Sequence, residues 1–350
     1  MTVSPQPSCH SVPAWVQRRL SWERQLRALE AAPRGQATTP PASPPAAIRV
    51  DGLTKRYGTR VALAGVSFQV ARGEVFSLLG PNGAGKTTTV EILEGFRDRS
   101  GGTVEVLGYD PAALPLGLRR RIGVVLQECG FPSHLRVGEI LAAWGAYYTR
   151  PRPLEELLAV VELDEQRDQL VRNLSGGQRR RLDLALALAG DPDLIFLDEP
   201  TTGFDPEARR RCWQAIRNLR GLGKTVVLTT HYLEEAEQLA DRVAVLAGGR
   251  IRALGTPREL AAQAELPARI SFRLPGAEGS APPRGLGRAD RHGDAFVLTT
   301  SDPVGAVRAL LGWVRRHRLG EPQDLTVEPP RLEDAYLHLV GTGDGTGERP

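Results

Sequence analysis

An α/β fold broken by a helical insert and followed by a smaller accessory unit is predicted by three features of the sequence. Short apolar runs that read as buried strands (Val75–Leu79, Leu194–Leu197, Thr225–Thr230) alternate with helix-like runs. The first leads into a glycine-rich loop, and the second ends on two carboxylates. Between them, residues 131–190 lose strand character and place their apolar residues at helical spacing. A parallel strand covered on both faces reads as a continuous apolar run, whereas a helix repeats every three to four residues.

Composition narrows the function classes. The 350 residues leave room for one large domain and a smaller one. A core of about 220 residues would bury roughly 70–75% of its unfolded surface and needs no covalent staple. The three cysteines, Cys9, Cys129 and Cys212, lie far apart, without disulfide or zinc spacing, as expected in a reducing compartment. No stretch of 18 apolar residues is present to span a membrane, and no apolar signal core opens the chain. A net charge of +4 with no dense basic block argues against a nucleic-acid groove. The run Arg179 to Arg181 is expected to be a solvated helix face. The expectation is a soluble cytosolic protein without a nucleic-acid partner.

Residues 1–46 read as an appendage. Trp15, Leu26 and Leu29 fall at helical spacing, so Trp15–Leu29 is either a short amphipathic helix or part of a solvated tail. Residues 33–47, rich in Pro, Ala, Ser and Thr, form an extended linker. At about 3.1 Å per residue it reaches roughly 40 Å. From Ile48 short strands begin, Ile48–Lys55 and Val61–Val70. Tyr57, before Gly58, offers a flat ring that could stack on an adenine or simply pack.

The loop Gly80, Pro81, Asn82, Gly83, Ala84, Gly85, Lys86, Thr87, Thr88 lies between a strand and a helix-like run ending at Leu93. Small residues there let consecutive backbone N–H groups converge on one anion. Lys86 can reach the β- and γ-phosphates of a nucleotide, and the Thr87 hydroxyl can ligate Mg²⁺. A tight strand-to-helix turn would share the glycines but not require the lysine. Only three of the 45 basic residues are lysine (Lys55, Lys86, Lys224), which favours a nucleoside-triphosphate site.

Thr103–Leu107 and Ile122–Leu126 read as strands, with a helix-like Leu116–Arg121 between them. Gln127 follows the second strand, where its amide could meet Mg²⁺ or hold the attacking water. In the insert, Val137–Tyr148 and Leu154–Val161 are helical, and Arg179–Ala189 is a longer helix. Ser175 is placed to cap that helix, with Gly176 and Gly177 leaving its first amides open to an anion. Phe131, Trp144, Tyr147 and Tyr148 are either a docking surface or the insert's own core.

Leu194–Leu197 delivers Asp198 and Glu199 to a strand's carboxyl end, where open α/β sheets bind ligands. Asp198 is suited to hold Mg²⁺, directly or through water. Glu199 is suited to polarise the attacking water, a role typically worth about 10²–10⁴-fold in rate. Asp205 is the expected N-cap of a helix Pro206–Leu219. His231, ending the strand Thr225–Thr230, can donate to a γ-phosphate and orient Glu199. Beyond residue 266, strands at Ile270–Leu274, Phe296–Thr300 and Leu325–Val327 surround a helix Pro303–Arg316, with Val307, Leu310, Leu311 and Val314 along one face. A last helix, Arg331–Leu339, carries a stripe of Leu332, Ala335, Tyr336 and Leu339. This βαβ-like, α+β unit (266–340) has no cluster of chemistry-bearing residues, so regulation, dimer contact or added packing remain its possible roles. Residues 341–350 are expected to be disordered.

Taken together, these motifs resemble the ATP-binding subunits of ABC transporters over about residues 48–262. Gly80 to Thr88 is similar to the Walker A motif, and Leu194 to Glu199 to Walker B with its catalytic Glu. Leu174, Ser175, Gly176, Gly177 and Gln178 match the ABC signature, and Gln127 and His231 match the Q- and H-loop positions. Tyr57 corresponds to the adenine-stacking aromatic. Gly203, Phe204 and Asp205 resemble the D-loop, with Phe204 in place of the more usual Leu. The resemblance implies a P-loop NTPase of the ABC type: a mixed-sheet core at 47–265 with an antiparallel β-subdomain and a helical insert at about 129–190. It implies ATP and Mg²⁺, the latter held by Thr87, Gln127 and Asp198, with Glu199, His231, Lys86 and Gln127 as the catalytic set.

A finer similarity, to drug-exporter ATPases of the daunorubicin-resistance group, rests on three runs. They are Gln178 to Ala185, Thr229 to Ala236 and Arg331 to Tyr336. It implies a homodimer with each ATP between Walker A of one copy and the signature of the other, beneath a separate type 2 permease on the cytoplasmic face of the plasma membrane. Drugs, other hydrophobic compounds or lipids would be the exported class. An importer ATPase and a soluble non-transport ABC ATPase are the alternatives.

Overall fold

In the computed structural model the described residues are 46–125, 132–263, 266–274, 288–317, 319–328 and 330–341. The expectations for Trp15–Leu29, the linker, Gln127, Phe131 and the last nine residues lie outside them. The chain divides into two compact units: Met1–Asp241 with Leu246–Ile251, and Arg242–Val245 with Arg252–Pro350. The division runs through two neighbouring strands.

In the first unit, β1 (Ile48–Tyr57), β2 (Arg60–Val70) and β4 (Gly101–Val106) form a three-stranded sheet in the order β2-β1-β4, antiparallel throughout. A second, six-stranded sheet has the order β5-β6-β7-β3-β8-β9. Its strands are β3 (Val75–Leu79), β5 (Ile122–Val125), β6 (Leu194–Asp198), β7 (Thr225–Thr230), β8 (Arg242–Ala247) and β9 (Arg250–Gly255). The pairs β5–β6, β6–β7 and β7–β3 are parallel, so β3, β6 and β7 present their carboxyl ends along one edge. Every residue of these three strands is buried, as their unbroken apolar runs require. The stacked rings of Phe68 and Phe76, 5.2 Å apart, pack β2 against β3.

Helix α1 (Lys86–Leu93) follows the glycine loop, and the one-turn α2 (Leu116–Arg119) precedes β5. The insert holds α3 (Val137–Gly145), α4 (Leu154–Val160) and α5 (Gly176–Leu188). Together with α6 (Pro206–Gly221) these bury one continuous apolar cluster that runs from Val137 and Leu157 through Leu182 to Ile216 and Val226. Trp144 and Tyr148 pack against that cluster, so two of the four aromatics considered for docking belong largely to the insert's own core.

The hairpin β8–β9 and helices α7 (Leu233–Leu239) and α8 (Pro257–Gln263) were not expected. The signal for β8 was present, an apolar run Val243–Ala247 closed by Gly248 and Gly249. In the second unit, β10 (Ala268–Arg273), β11 (Arg288–His292), β12 (Ala295–Thr300) and β13 (Gln323–Glu328) form a sheet of order β11-β12-β10-β13. β12 and β13 both flank β10 antiparallel and are joined through α9 (Pro303–Arg316), a split βαβ arrangement. β11 escaped sequence reading because its Arg288, Asp290, Arg291 and His292 give no apolar period. The buried face of α9 is Ala306, Leu310, Trp313 and Val314, packed on Ile270, Phe272, Phe296 and Leu298. This corrects the expected stripe: Leu311 is 40% exposed, because the bulkier Trp313 turns its own side of the helix inward. The final helix, α10 (Leu332–Gly341), buries Leu332 and Ala335 and packs against α8.

Candidate nucleotide site

Three strand ends build the site. At β3 the chain leaves the sheet through the glycine loop and enters α1 at Lys86, with Gly85 at φ 106 just before it. A Cβ on Gly85 would sit 2.6 Å from Leu63 and be strained by that φ, so the tight turn requires glycine. The Lys86 Nζ donates to the carbonyls of Gly80 (2.8 Å) and Pro81 (3.2 Å) and lies 3.7 Å from Glu199 Oε1. Burial pushes its amine below the usual lysine range, against the raising effect of Glu199 and Asp198. An ammonium folded back on loop carbonyls is a cation held ready for an anion.

At β6, Asp198 is buried and accepts a hydrogen bond from Thr229 Oγ1 on the neighbouring strand. Burial raises its carboxyl above the usual range and the Glu199 charge adds to this, while hydrogen bonds from Thr229 and Thr87 oppose it. Thr87 Oγ1 stands 3.5 Å from Asp198 Oδ1. A hydroxyl and a carboxylate at this spacing fit two adjacent positions around a hard dication. Such an ion needs only one or two protein carboxylates when phosphate completes its shell. No group of three or more His, Cys, Asp or Glu suited to a metal occurs among the described residues.

Glu199 has φ 45, a left-handed conformation, and its amide is held by Thr229 through the carbonyl (3.2 Å) and Oγ1 (3.0 Å). Its Oε1 faces His231 Nδ1 at 3.3 Å, and its Oε2 accepts from Thr202 Oγ1 at 3.1 Å. His231 Nδ1 is enclosed without a hydrogen bond of good geometry. The strand ends thus bring Lys86, Thr87, Asp198, Glu199 and His231 together.

A cleft of about 220 Å³ runs from Tyr57 and Arg60 past Asn82, Gly83, Gly85, Lys86, Thr87 and Thr88 to Glu199. Tyr57 is 40% exposed at its far end, with Lys55 and Arg97 over its ring at 5.2 and 5.3 Å. The expected signature residues line a different cleft, with Ser175, Gly177 and Gln178 beside Asp205 and Arg211. Ser175 caps α5, accepting from the Gln178 amide (3.2 Å), and Gln178 Oε1 accepts from the Ser175 amide (2.8 Å). Asp205 caps α6 through the amides of Glu207 and Ala208, both at 2.9 Å. Phe204 packs against the helical core. The two clefts share no lining residue.

Sequence reasoning missed Thr229, which ties the Asp198 carboxylate and the Glu199 amide to β7, and Arg60, which nothing in a single sequence singles out. It also erred on Arg179 to Arg181. Arg179 is exposed, but Arg180 and Arg181 are buried. Arg180 donates to the carbonyls of Asp198 and Pro200, and Arg181 to those of Val161 and Glu162. Buried guanidinium groups are tolerated where carbonyls satisfy their donors.

A strand–glycine loop–helix cradle facing paired carboxylates on a nearby strand end of a largely parallel sheet defines a P-loop nucleotide-binding fold. The ABC transporter family model matches residues 63–202. The Nod factor export ATP-binding protein I of Ralstonia nicotianae is 38% identical over 310 residues, covering 84% of this chain and 94% of that protein. The daunorubicin resistance ATP-binding protein DrrA3 of Streptomyces coeruleorubidus is 41% identical over 309 residues, covering 84% and 96%. Among solved structures, an ATP-binding subunit of an ABC transporter superposes with TM-score 0.55 at 28% identity, covering 62% of this chain and 92% of that one. A dimeric post-hydrolysis state of the cassette MJ0796, bound to ADP and Pi, superposes with TM-score 0.53 at 27% identity, covering 60% and 98%. The chain belongs to the ABC transporter ATP-binding proteins and is an ABC-type ATPase.

Proposed function

We propose that the chain hydrolyses MgATP to drive an exporter whose membrane-spanning permease is a separate polypeptide. The observation that carries the hydrolytic reading is the Glu199 carboxylate, fixed between Lys86 and His231 at the end of β6. In this reading the loop amides and Lys86 bind the β- and γ-phosphates, and Tyr57 stacks on the adenine. Thr87, Asp198 and Gln127 hold magnesium, which supplies charge neutralisation on the phosphates when bound. Glu199 accepts the proton of the attacking water, and His231 keeps that carboxylate oriented and donates to the γ-phosphate. Two copies clamp the nucleotide, the glycine-loop cleft of one meeting the Ser175–Gly177 cleft of the other. Support comes from the separation of the two clefts within one chain. The names of the two relatives, one a Nod factor export protein and one a daunorubicin resistance protein, support export, which we extend to drugs, other hydrophobic compounds or lipids as the class carried. In this reading the subunit lies on the cytoplasmic face of the plasma membrane, beneath that permease; no helix among its described residues is long and apolar enough to cross a membrane.

The test is ATP turnover and MgATP binding by full-length variants. Glu199→Gln is expected to keep MgATP affinity and lose about 10²–10⁴-fold in kcat. Lys86→Ala is expected to lose turnover altogether. Undiminished turnover by Glu199→Gln removes the base assignment.

A further inference from the structure

The turn that carries Glu199 is gripped on both sides by buried charged side chains that the hydrolytic reading leaves unused. Glu199 itself is strained, since a left-handed φ crowds the Cβ of any residue but glycine against its own backbone. Such a conformation persists only where neighbouring contacts over-determine it. Arg180 supplies two of them: Nη2 donates to the Asp198 carbonyl at 2.6 Å and Nε to the Pro200 carbonyl at 3.3 Å. These carbonyls belong to the two residues that flank Glu199. Arg180 is 8% exposed and rises from α5, the helix that Ser175 caps. On the far side of the turn, Thr201 Oγ1 donates at 2.8 Å to Glu235, which is fully buried and also accepts from Trp213 Nε1 at 3.2 Å.

We propose that Arg180 is a positioning residue for hydrolysis. Its planar fork holds the Asp198–Glu199 and Pro200–Thr201 peptide units, which bracket the Glu199–Pro200 step, and so keeps the carboxylate in its left-handed turn facing Lys86 and His231. It lines neither cleft and reaches Asp198 only at its backbone carbonyl, so its loss is expected to act on catalysis far more than on MgATP binding. The inference rests on Glu199 as the base.

The experiment compares full-length wild type, Arg180→Ala, Arg180→Lys and Glu199→Gln for kcat, KM, MgATP affinity and amide exchange across residues 198–204. Arg180→Ala is expected to lower kcat at least about 30-fold while KM and MgATP affinity stay within about threefold, as for loss of a transition-state contact alone. Exchange at the Glu199 amide should quicken. Arg180→Lys, a single point donor without the fork, is expected to fall between. Should the alanine variant fail to give a cooperative melt, the lysine variant carries the same kcat-against-KM comparison. A kcat within about threefold of wild type in the alanine variant, or in the lysine variant where alanine does not fold, overturns the proposal. So does a loss of affinity that parallels the loss of kcat. Glu199→Gln separates the two readings: if it turns over normally the base assignment fails, and if it is inactive beside a normal Arg180→Ala only the positioning role fails.

Discussion

At the scale of single residues, Glu94 is a carboxyl buried beside the site, where its surroundings favour the neutral form. It follows α1, is 4% exposed, and burial holds its carboxyl well above the usual range, with the charges of Asp198 and Glu91 adding to the shift. The folded state therefore binds this proton more tightly than the unfolded chain, whose pKa is near 4.5. Its contribution to stability is fully present below that pH and is lost as pH rises through the folded value. Glu94→Gln keeps the shape and removes the titration. In nucleotide-free protein the variant should match wild type near pH 4.5. It should melt at least about 2 °C higher at pH 8, the shift that about 1 kcal/mol gives in a domain of this size. Calorimetry at both pH values decides it. A difference that does not grow with pH contradicts the burial argument. Cys212 is the same physics without consequence: burial pushes its thiol up to about 12, leaving it a packing residue.

At the level of elements, the start of α5 is set by its contact with α6. A Cβ on Gly177 would stand 2.9 Å from the Ala208 Cβ, closer than real side chains approach. Gly177→Ala must push the helix start away from α6, and overpacking of this kind costs about 1–3 kcal/mol. Ala208→Gly removes the opposing methyl and loses about 1 kcal/mol of helix propensity on its own. Urea unfolding of the two single variants and the pair should show coupling, the pair being more stable than the sum of the singles by about 1 kcal/mol. Additivity to within about 0.5 kcal/mol would mean that the helices are not in the contact described. The glycine in the expected signature thus has a packing reason beside any exposure of amides to phosphate.

For the whole molecule, the property on which the proposed two-copy clamp rests is that each chain carries two clefts with no lining residue in common. One holds Glu199 and Lys86, the other the capped start of α5. Glu199→Gln with MgATP is accordingly expected to shift from 38.0 kDa to twice that mass, and to return on nucleotide removal. Sedimentation velocity reads this directly. A Glu199→Gln protein that stays monomeric at saturating MgATP, alone and with its permease, excludes the two-copy clamp. Lys86→Ala in the same background is expected to abolish the shift, because the phosphates would lose their cation.

Much of this was written in the chain order alone. Continuous apolar runs forced β3, β6 and β7 into the sheet, and the residues that end them, from Gly80 to Lys86, Asp198 with Glu199, and His231, were legible as chemistry by residue type and spacing. Caps at Ser175 and Asp205 were legible for the same local reason. The environment of charges was not, because it depends on partners far away in sequence. Arg180 looked like part of a solvated face, yet it lies buried against carbonyls some 20 residues on. Thr229 meets Asp198 across a distance of 31 residues, and α9 buries Trp313 where spacing pointed to Leu311. Local pattern determines which segments form and which side chains can react. Only the folding of distant segments onto one another decides which charges lose their water and which strained turn is held in place.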